Sequence, residues 1–398
     1  MSAGSAQVTK SLGNVLITGG CGFVGHKLAK LLQDRSAYTS LSVVDLRPSA
    51  TPLEKVDYHF GDITDYAAMK SIFEKVRPHV VMHTASPHAN LANREVMYKV
   101  NVEGTKTLLK VAQETGVKAF VFTSSSSVVH DSVSDLVNAN ESYPLQMGDK
   151  QPEYYTTTKA LAEQLVLENN RPSSAPRFLT CALRPAGIFG EGDVQNLPQA
   201  LVAHYKGQTN FQLGENDNLF DFTEVTNVAH AHHLAGAALL ATTDREEQGQ
   251  SAPLDNEKID GEAFFITNDQ PTYFFDFYRM VWGAAGSTID PKKAWVLGKD
   301  TALLIAVVME WVYFLLRWGQ PNLSKTRVRY ACTTRYFDCS KAKLRLGYRP
   351  IVPIDEGIKR GVADVIRRGA VPGMPEEAKG KVPEKLQREI EKLDKKKR

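Results

Sequence analysis

Tyr155 and Lys159 stand four apart in the stretch EYYTTTKALAEQ, Glu153 to Gln164. On a helix, side chains at that spacing share one face. A lysine ammonium close to a phenol favours the phenolate and depresses its pKa from about 10. Such a phenolate can take the proton of an alcohol while hydride leaves the carbinol carbon. A serine hydroxyl would hold the substrate oxygen, and no metal is required. The plainer alternative is one more turn of solvent-facing helix. Some thirty residues upstream, FTSSSSVV (Phe122 to Val129) closes a predicted strand with the serines such chemistry needs.

A second constellation lies near the N-terminus. VLITGGCGFVGHKLAKLL sets Gly19, Gly22 and Gly25 between the predicted strand NVLIT and a helix whose apolar face is Val24, Leu28, Leu31 and Leu32. Glycine permits the tight turn, the close approach of backbone to a pyrophosphate, and close helix–strand packing. Phe23 and Val24 open the helix, whose N-terminal N–H groups and dipole favour phosphate. Asp45 closes the second strand, LSVVD, 20 residues after Gly25. Its carboxylate can accept from ribose hydroxyls and repels a 2′-phosphate, which favours NAD over NADP. Arg47 partly offsets the repulsion and leaves NADP open. A bare glycine turn is the alternative, whereas a P-loop is excluded because no Gly-Lys-Ser/Thr follows. In GDITD, at the end of a third strand, Asp62 beside Ile63 can meet the adenine or serve as an ordinary turn aspartate. HTASP ends the fourth strand and sets Thr84, Ala85 and Ser86 on the carboxyl edge, where ligand crevices form.

These residues need a scaffold. Short β-branched runs, NVLIT, LSVVD, HVVMHT, AFVFTS and FLTCALR, alternate with helical patterns. That alternation predicts an α/β fold with a doubly wound parallel sheet, a Rossmann arrangement. Residues 12–185 form the expected dinucleotide-binding domain, joined by a returning strand and helix near 221–240. Residues 186–365 form a smaller, more irregular lobe for substrate. From about 370 to 398 a charged tail is expected to be a solvated helix or partly disordered.

Composition bounds the rest. The 398 residues are 42% hydrophobic and 23% charged, ordinary for a folded protein. A net charge of +3 without a basic, aromatic-laced patch argues against nucleic acid. Cys21, Cys181, Cys332 and Cys339 form no CxxC pair, so reduced thiols are expected rather than a zinc site or disulfide framework. The polar start MSAGSAQVTKSLG does not read as a signal peptide.

Together, the glycine turn, the serine-rich strand end, Tyr155–x3–Lys159 and RPAGIFG resemble the extended short-chain dehydrogenase/reductase superfamily. The resemblance implies Tyr155 as acid/base, Lys159 as the group that lowers its pKa and binds the nicotinamide ribose, and Ser125 as the residue positioning the substrate oxygen. Ser124 is the alternative one residue away, and is otherwise a cofactor contact. Asn101 in VNVEGT matches the superfamily's helix asparagine near the cofactor, and Pro185 the residue lying against nicotinamide. From about residue 13 to 366, TASPHANLANREVMYKVNVEGTK, LRPAGIFGEGD, LFDFTEVTNVAHAH, AFFITNDQP and RYFDCSKAKLRLGYRPIVPIDEGI resemble the 3β-hydroxysteroid dehydrogenase branch. Within it they are most similar to the sterol-4α-carboxylate 3-dehydrogenases (decarboxylating).

That resemblance implies NAD-dependent oxidation of a sterol 3β-hydroxyl to a 3-ketone. The ketone lies β to the C4 carboxylate, so carbon dioxide can leave through an enol without separate machinery. His88 and Arg94 are candidates for the carboxylate partner, with a surface role as the alternative. Three other readings remain: a 3β-hydroxysteroid dehydrogenase acting on sterols without the carboxylate, a nucleotide-sugar epimerase, and an NAD-sensing scaffold. The partners expected are a sterol, a homodimer mate and the other enzymes of C4 demethylation.

The run TALLIAVVMEWVYFLLRW, 301–318, carries Glu310 at its middle and the aromatics Trp311, Tyr313 and Trp318. It suits a helix lying in a membrane interface or a hydrophobic lip to the pocket, with a buried helix as the alternative. The end Lys395-Lys396-Lys397-Arg398 resembles a dilysine retrieval signal. The expected location is therefore the endoplasmic-reticulum membrane, peripheral or monotopic, with the catalytic domain facing the cytosol.

Overall fold

Runs of four to seven residues, mostly apolar, too short for helices and bounded by turn residues, pair into a central seven-stranded sheet. The structure is a computed structural model describing residues 11–88, 93–148, 151–319 and 321–397. In chain order the sheet strands are β1 (Asn14–Thr18), β2 (Ser40–Asp45), β3 (Asp57–Phe60), β4 (Val80–His83), β5 (Ala119–Thr123), β6 (Leu179–Pro185) and β7 (Glu262–Ile266). They lie in the order β7-β6-β5-β4-β1-β2-β3, every pairing parallel. The order reverses at β1, so a crevice opens above the carboxyl ends of β1 and β4. β4, β5 and β6 are buried along their whole length, as parallel strands covered by helices on both faces must be.

One face is covered by the helices Phe23–Arg35 and Val225–Glu247, whose Leu28, Leu32, Ala235 and Leu239 are buried. The other is covered by Tyr66–Val76, Thr105–Glu114 and Tyr154–Glu168. The sheet takes its seventh strand, EAFFI, from beyond the returning helix, so the two lobes interleave along the chain. A separate aromatic core holds the second lobe together. Phe222 stacks on Phe277 at 3.6 Å, and Phe220, Phe274 and Trp282 surround them.

The tail departs from the expectation of a solvated segment. Helix Glu384–Lys397 buries Leu386 and Ile390, one turn apart, against the second core. Lys359–Glu389 and Arg360–Asp394 ion pairs flank that seam. Two apolar residues in a charged stretch are a weak sequence signal, but they suffice once a complementary groove exists. Residues 1–10, Ala89–Ala92 of the matched stretch and Arg398 of the dilysine-like end lie outside the described residues.

The interior holds several histidines in neutral form. Burial lowers His83 to about 3, and His130, His230, His232 and His233 each to about 4. A group held neutral in the fold contributes stability that is present above its unfolded value near 6.5 and is lost as pH falls toward the folded one. Asp221 and Glu224, raised by burial to about 7, act oppositely, losing stability as pH rises through that value. The five histidines outnumber the two carboxylates, so the thermal midpoint should fall between pH 7 and 5, with net proton uptake on unfolding. A midpoint that stays level or rises across that range would show that these imidazoles are already charged in the native protein.

Candidate active site

At the crevice, Gly19 adopts φ +71°, and a Cβ there would sit 2.6 Å from the Ala85 Cα. At Gly25 a Cβ would meet the Gly19 carbonyl oxygen at 2.4 Å and the Thr84 Oγ1 at 2.7 Å. Both glycines therefore close the turn onto its own backbone and onto the residues following β4. Gly22 is the N-cap of the helix Phe23–Arg35, which no side chain caps. Its first N–H groups are thus free for an anion. Phe23 packs against Gly192, and Lys27 pairs with Glu191 at 2.8 Å, which clasps this helix to the loop after RPAGIF.

Asp45 stands at the end of β2. One carboxylate oxygen accepts from the Cys21 N–H at 3.0 Å and the other from the Arg47 N–H at 3.3 Å. It is oriented by the glycine turn itself and retains lone pairs for hydroxyl donors. Asp62 accepts from the Thr64 N–H and hydroxyl at 2.9 and 2.8 Å, the turn geometry weighed as its alternative role. Ile63 is buried in the core below. Thr84 donates to the Thr18 carbonyl at 2.8 Å, and Pro185 is buried at the end of β6.

Tyr155 and Lys159 share one face of the helix Tyr154–Glu168, but their partners differ from those their spacing suggests. Burial pushes the Tyr155 phenol pKa up, and the Ser86 hydroxyl beside it partly offsets that rise. Ser86 donates to the Asn101 Oδ1 at 2.9 Å, Asn101 Nδ2 donates to Thr158 Oγ1 at 2.9 Å, and Thr158 donates to the Tyr155 carbonyl at 2.8 Å. This run of bonds joins the end of β4, the π-helical turn Lys99–Gly104 and the helix Tyr154–Glu168. Wide π turns recur at functional sites, and here one turns Asn101 toward its two partners. Lys159 is buried, donates to the Thr123 carbonyl at 2.8 Å, and is lowered by that burial to about 7. Its charge is therefore in play near neutrality.

The two serines at the end of β5 have separate surroundings. Ser125 caps the short helix Ser126–Val129 and lies 2.9 Å from the Ser127 hydroxyl, part-exposed at the crevice. Ser124 is buried and donates to Glu163 at 2.6 Å. Glu163, one turn beyond Lys159, also takes the Arg184 guanidinium at 2.5 to 3.1 Å, both side chains being buried. This pair was not among the expected site residues, although Glu163 continues the four-residue spacing of Tyr155 and Lys159. Behind the turn, His83 links the Thr18 hydroxyl at 2.7 Å to the Thr105 hydroxyl at 3.0 Å. His88 and Arg94 are exposed: His88 meets Gln195 at 2.5 Å, and Arg94 lies over the Tyr154 ring.

Residues 16–298 match the 3-beta hydroxysteroid dehydrogenase/isomerase family profile. The chain is 38% identical over 354 residues to the sterol-4-alpha-carboxylate 3-dehydrogenase, decarboxylating, of Schizosaccharomyces pombe, with 88% of this chain and 97% of that protein covered. It is 37% identical over 355 residues to the enzyme of that name from Mus musculus, covering 87% and 89%. Among solved structures, a Thermus thermophilus UDP-glucose 4-epimerase in complex with NAD superposes with a TM-score of 0.63 at 20% identity, over 90% of this chain and 99% of that one. A dTDP-glucose 4,6-dehydratase from Streptomyces venezuelae gives 0.65 at 19%, over 90% and 98%. At that identity the structures speak to the fold alone.

Glu163→Gln should destabilise the protein by about 3–5 kcal/mol, because it strands a buried guanidinium. The double change Glu163→Leu with Arg184→Met should recover most of that loss. Denaturant unfolding of both variants is the check, and equal losses would mean that the charges are not coupled.

Proposed function

The chain belongs to the 3-beta hydroxysteroid dehydrogenase/isomerase family, and from that premise we propose that it oxidises the 3β-hydroxyl of a 4α-carboxysterol to the 3-ketone with release of the C4 carboxylate as carbon dioxide. The observation that carries this reading is identity of 37 to 39% over nearly the full length of enzymes so named in two yeasts and the mouse. Residues 12–185 with 221–240 and the sheet strand 262–266 would hold the cofactor, and the rest of 186–365 the sterol.

The crevice residues fit a dinucleotide. Gly22 leaves the helix N-terminus open to a pyrophosphate, and Asp45 presents a carboxylate suited to ribose hydroxyls, which favours NAD. When bound, the nicotinamide supplies the hydride acceptor. The proton work falls to the chain. Tyr155, as phenolate, takes the hydroxyl proton, and Ser125, part-exposed at the end of β5, orients the oxygen. Lys159 lies on the same helical face. Its ammonium rests on the Thr123 carbonyl and does not lower the Tyr155 pKa here, but its charge would favour the phenolate once cofactor and substrate are bound. The electron pair of the C4–carboxylate bond then moves toward the C3 oxygen as carbon dioxide departs, and the Tyr155 phenol returns a proton to that oxygen. The enol ketonises with protonation at C4.

The helix Lys299–Leu316 supports a membrane-surface enzyme. Only Ala302 and Ala306 of it are buried, whereas Phe314 and Leu315 are 74% and 71% exposed and Trp311 and Trp318 stand beside them. Glu310 leaves the apolar face intact by pairing with Lys325 at 3.1 Å and accepting its N–H at 2.8 Å. No helix among the described residues is long and apolar enough to cross a membrane. An exposed apolar face of this kind suits a helix lying in a bilayer interface, with Arg317 at its end near the headgroups. The sterol would be drawn from the cytosolic leaflet of the endoplasmic reticulum.

Purified protein in detergent with NAD and a 4α-carboxy-3β-hydroxysterol should yield NADH and a decarboxylated 3-ketone. Tyr155→Phe should lower the rate by about 100-fold or more, the scale of general acid–base catalysis, with NAD affinity retained. Equal turnover of the matching sterol without the carboxylate would shift the reading to a general 3β-hydroxysteroid dehydrogenase. For the membrane, Trp311→Asp with Phe314→Asp should reduce co-flotation with phosphatidylcholine–phosphatidylserine vesicles at least tenfold. Unchanged flotation would remove the helix from that role.

A further inference from the structure

Arg335 is 8% exposed, and among the described residues no carboxylate pairs with it. Its guanidinium lies over the faces of Phe220 at 4.9 Å and Tyr330 at 4.8 Å. One edge nitrogen, Nη1, meets His130 Nδ1 at 3.2 Å, and Nε is buried without a hydrogen-bond partner. Asp131 accepts from the Val133 and Ser134 N–H groups and Asp135 from the Thr334 N–H, while Asp221 accepts from the Phe337 N–H through Oδ2 and keeps a buried, unpartnered Oδ1. His130 donates from Nε2 to the Ser134 carbonyl at 2.8 Å, which leaves Nδ1 as an acceptor, in keeping with its low pKa. A buried cation is normally paired, and the unpartnered Nε of Arg335, one of a few such buried groups that include Arg184 Nη1 and Asp221 Oδ1, is accounted for by an anionic ligand. Face-on stacking leaves only the guanidinium edge for that ligand, and the edge is the geometry that takes a carboxylate through two parallel bonds.

Packed neighbours link Arg335 to the helix that carries Tyr155. The substrate carries its carboxylate on the carbon next to the one oxidised, so a partner must border the Tyr155 site. Arg335 and Phe337 lie two apart on the strand Arg335–Phe337, on one face and about 7 Å from each other along it. Phe337 stacks on Phe265 at 4.6 Å and belongs to the apolar cluster containing Ala160 and Ala186, the neighbours of Lys159 and Pro185. From the other side, Gln151 donates to the His130 carbonyl and accepts from the Glu153 N–H at 2.9 Å, which ties His130 to the start of the helix Tyr154–Glu168. We propose that Arg335, held by Phe220, Tyr330 and His130, receives the C4 carboxylate of the substrate and so selects the acid over the neutral sterol. The assignment rests on the substrate reading given above. The pair dissolves as the carboxylate leaves as neutral carbon dioxide, so Arg335 acts on recognition, while the electron pair is received at the C3 oxygen.

The test measures binding of a 4α-carboxy-3β-hydroxysterol and its 4α-methyl analogue to the full chain with NADH in detergent. Arg335→Gln should weaken the acid by about 30-fold or more, as loss of one partner of a buried charge pair does. The methyl sterol should shift less than twofold, NADH should not shift, and Arg335→Lys should be intermediate for the acid. Unchanged acid affinity, or equal loss of both sterols, overturns the assignment. If the glutamine variant does not fold, Arg335→Lys carries the test, with selective weakening of the acid in support and equal weakening against. A wild-type protein indifferent to the carboxylate removes the substrate reading and this assignment with it. A variant as selective as wild type removes the assignment alone.

Discussion

A carboxylate and a guanidinium sealed away from water have to meet, and the pairing of Glu163 with Arg184 sets where the helix Tyr154–Glu168 lies against the sheet. Glu163 rises from the helix two turns beyond Tyr155, and Arg184 from β6 one residue before Pro185. Separating them would leave two buried charges uncompensated, far costlier than any loose packing of the same helix. Ser124 joins the pair from the end of β5, so three elements that converge on the crevice share one ionic knot. With that register held, Lys159 reaches the Thr123 carbonyl and the Tyr155 phenol reaches Ser86.

Around that knot the polar groups form connected runs rather than isolated bonds. Ser86, Asn101 and Thr158 lead to the Tyr155 carbonyl, while His83 secures the base of the glycine turn through two threonine hydroxyls. Because the members of such a run satisfy one another, displacing one strands the others, which gives the site a single arrangement. The second lobe uses different physics. Its core is aromatic, and it leaves one helix with its large apolar side chains turned outward. Such a patch is a liability in water and an asset at a bilayer surface, where a poorly soluble substrate would be found.

Much of the site was legible along the chain because its signals are local. The glycine turn is a spacing within one strand–helix junction, Asp45 marks one strand end, and Tyr155 with Lys159 marks one helical face. The alternation of short apolar runs with helical patterns likewise required the parallel sheet seen here. EAFFI escaped notice as the seventh strand because five apolar-rich residues have no periodicity to separate strand from buried helix. The partners of Tyr155 and Lys159 were not legible either. Spacing places two side chains on one face, but what each touches depends on the strands across the crevice.

By itself, then, the sequence determined which groups stand together locally: a glycine turn between strand and helix, the Tyr155–Lys159 pair on one helical face and an apolar helix, each encoded by residues close together. The tertiary structure decided which groups complete the site. Ser86 reaches Tyr155 from the end of another strand, Glu163 finds Arg184, and His130 meets Arg335 across 205 residues of chain. The fold also decided that the charged C-terminal helix packs and that the apolar 299–316 helix does not. The reason is common to all of these. Burial and pairing are properties of neighbours in space, and a residue's neighbours in space are chosen only when the sheet order and the helix crossings are set.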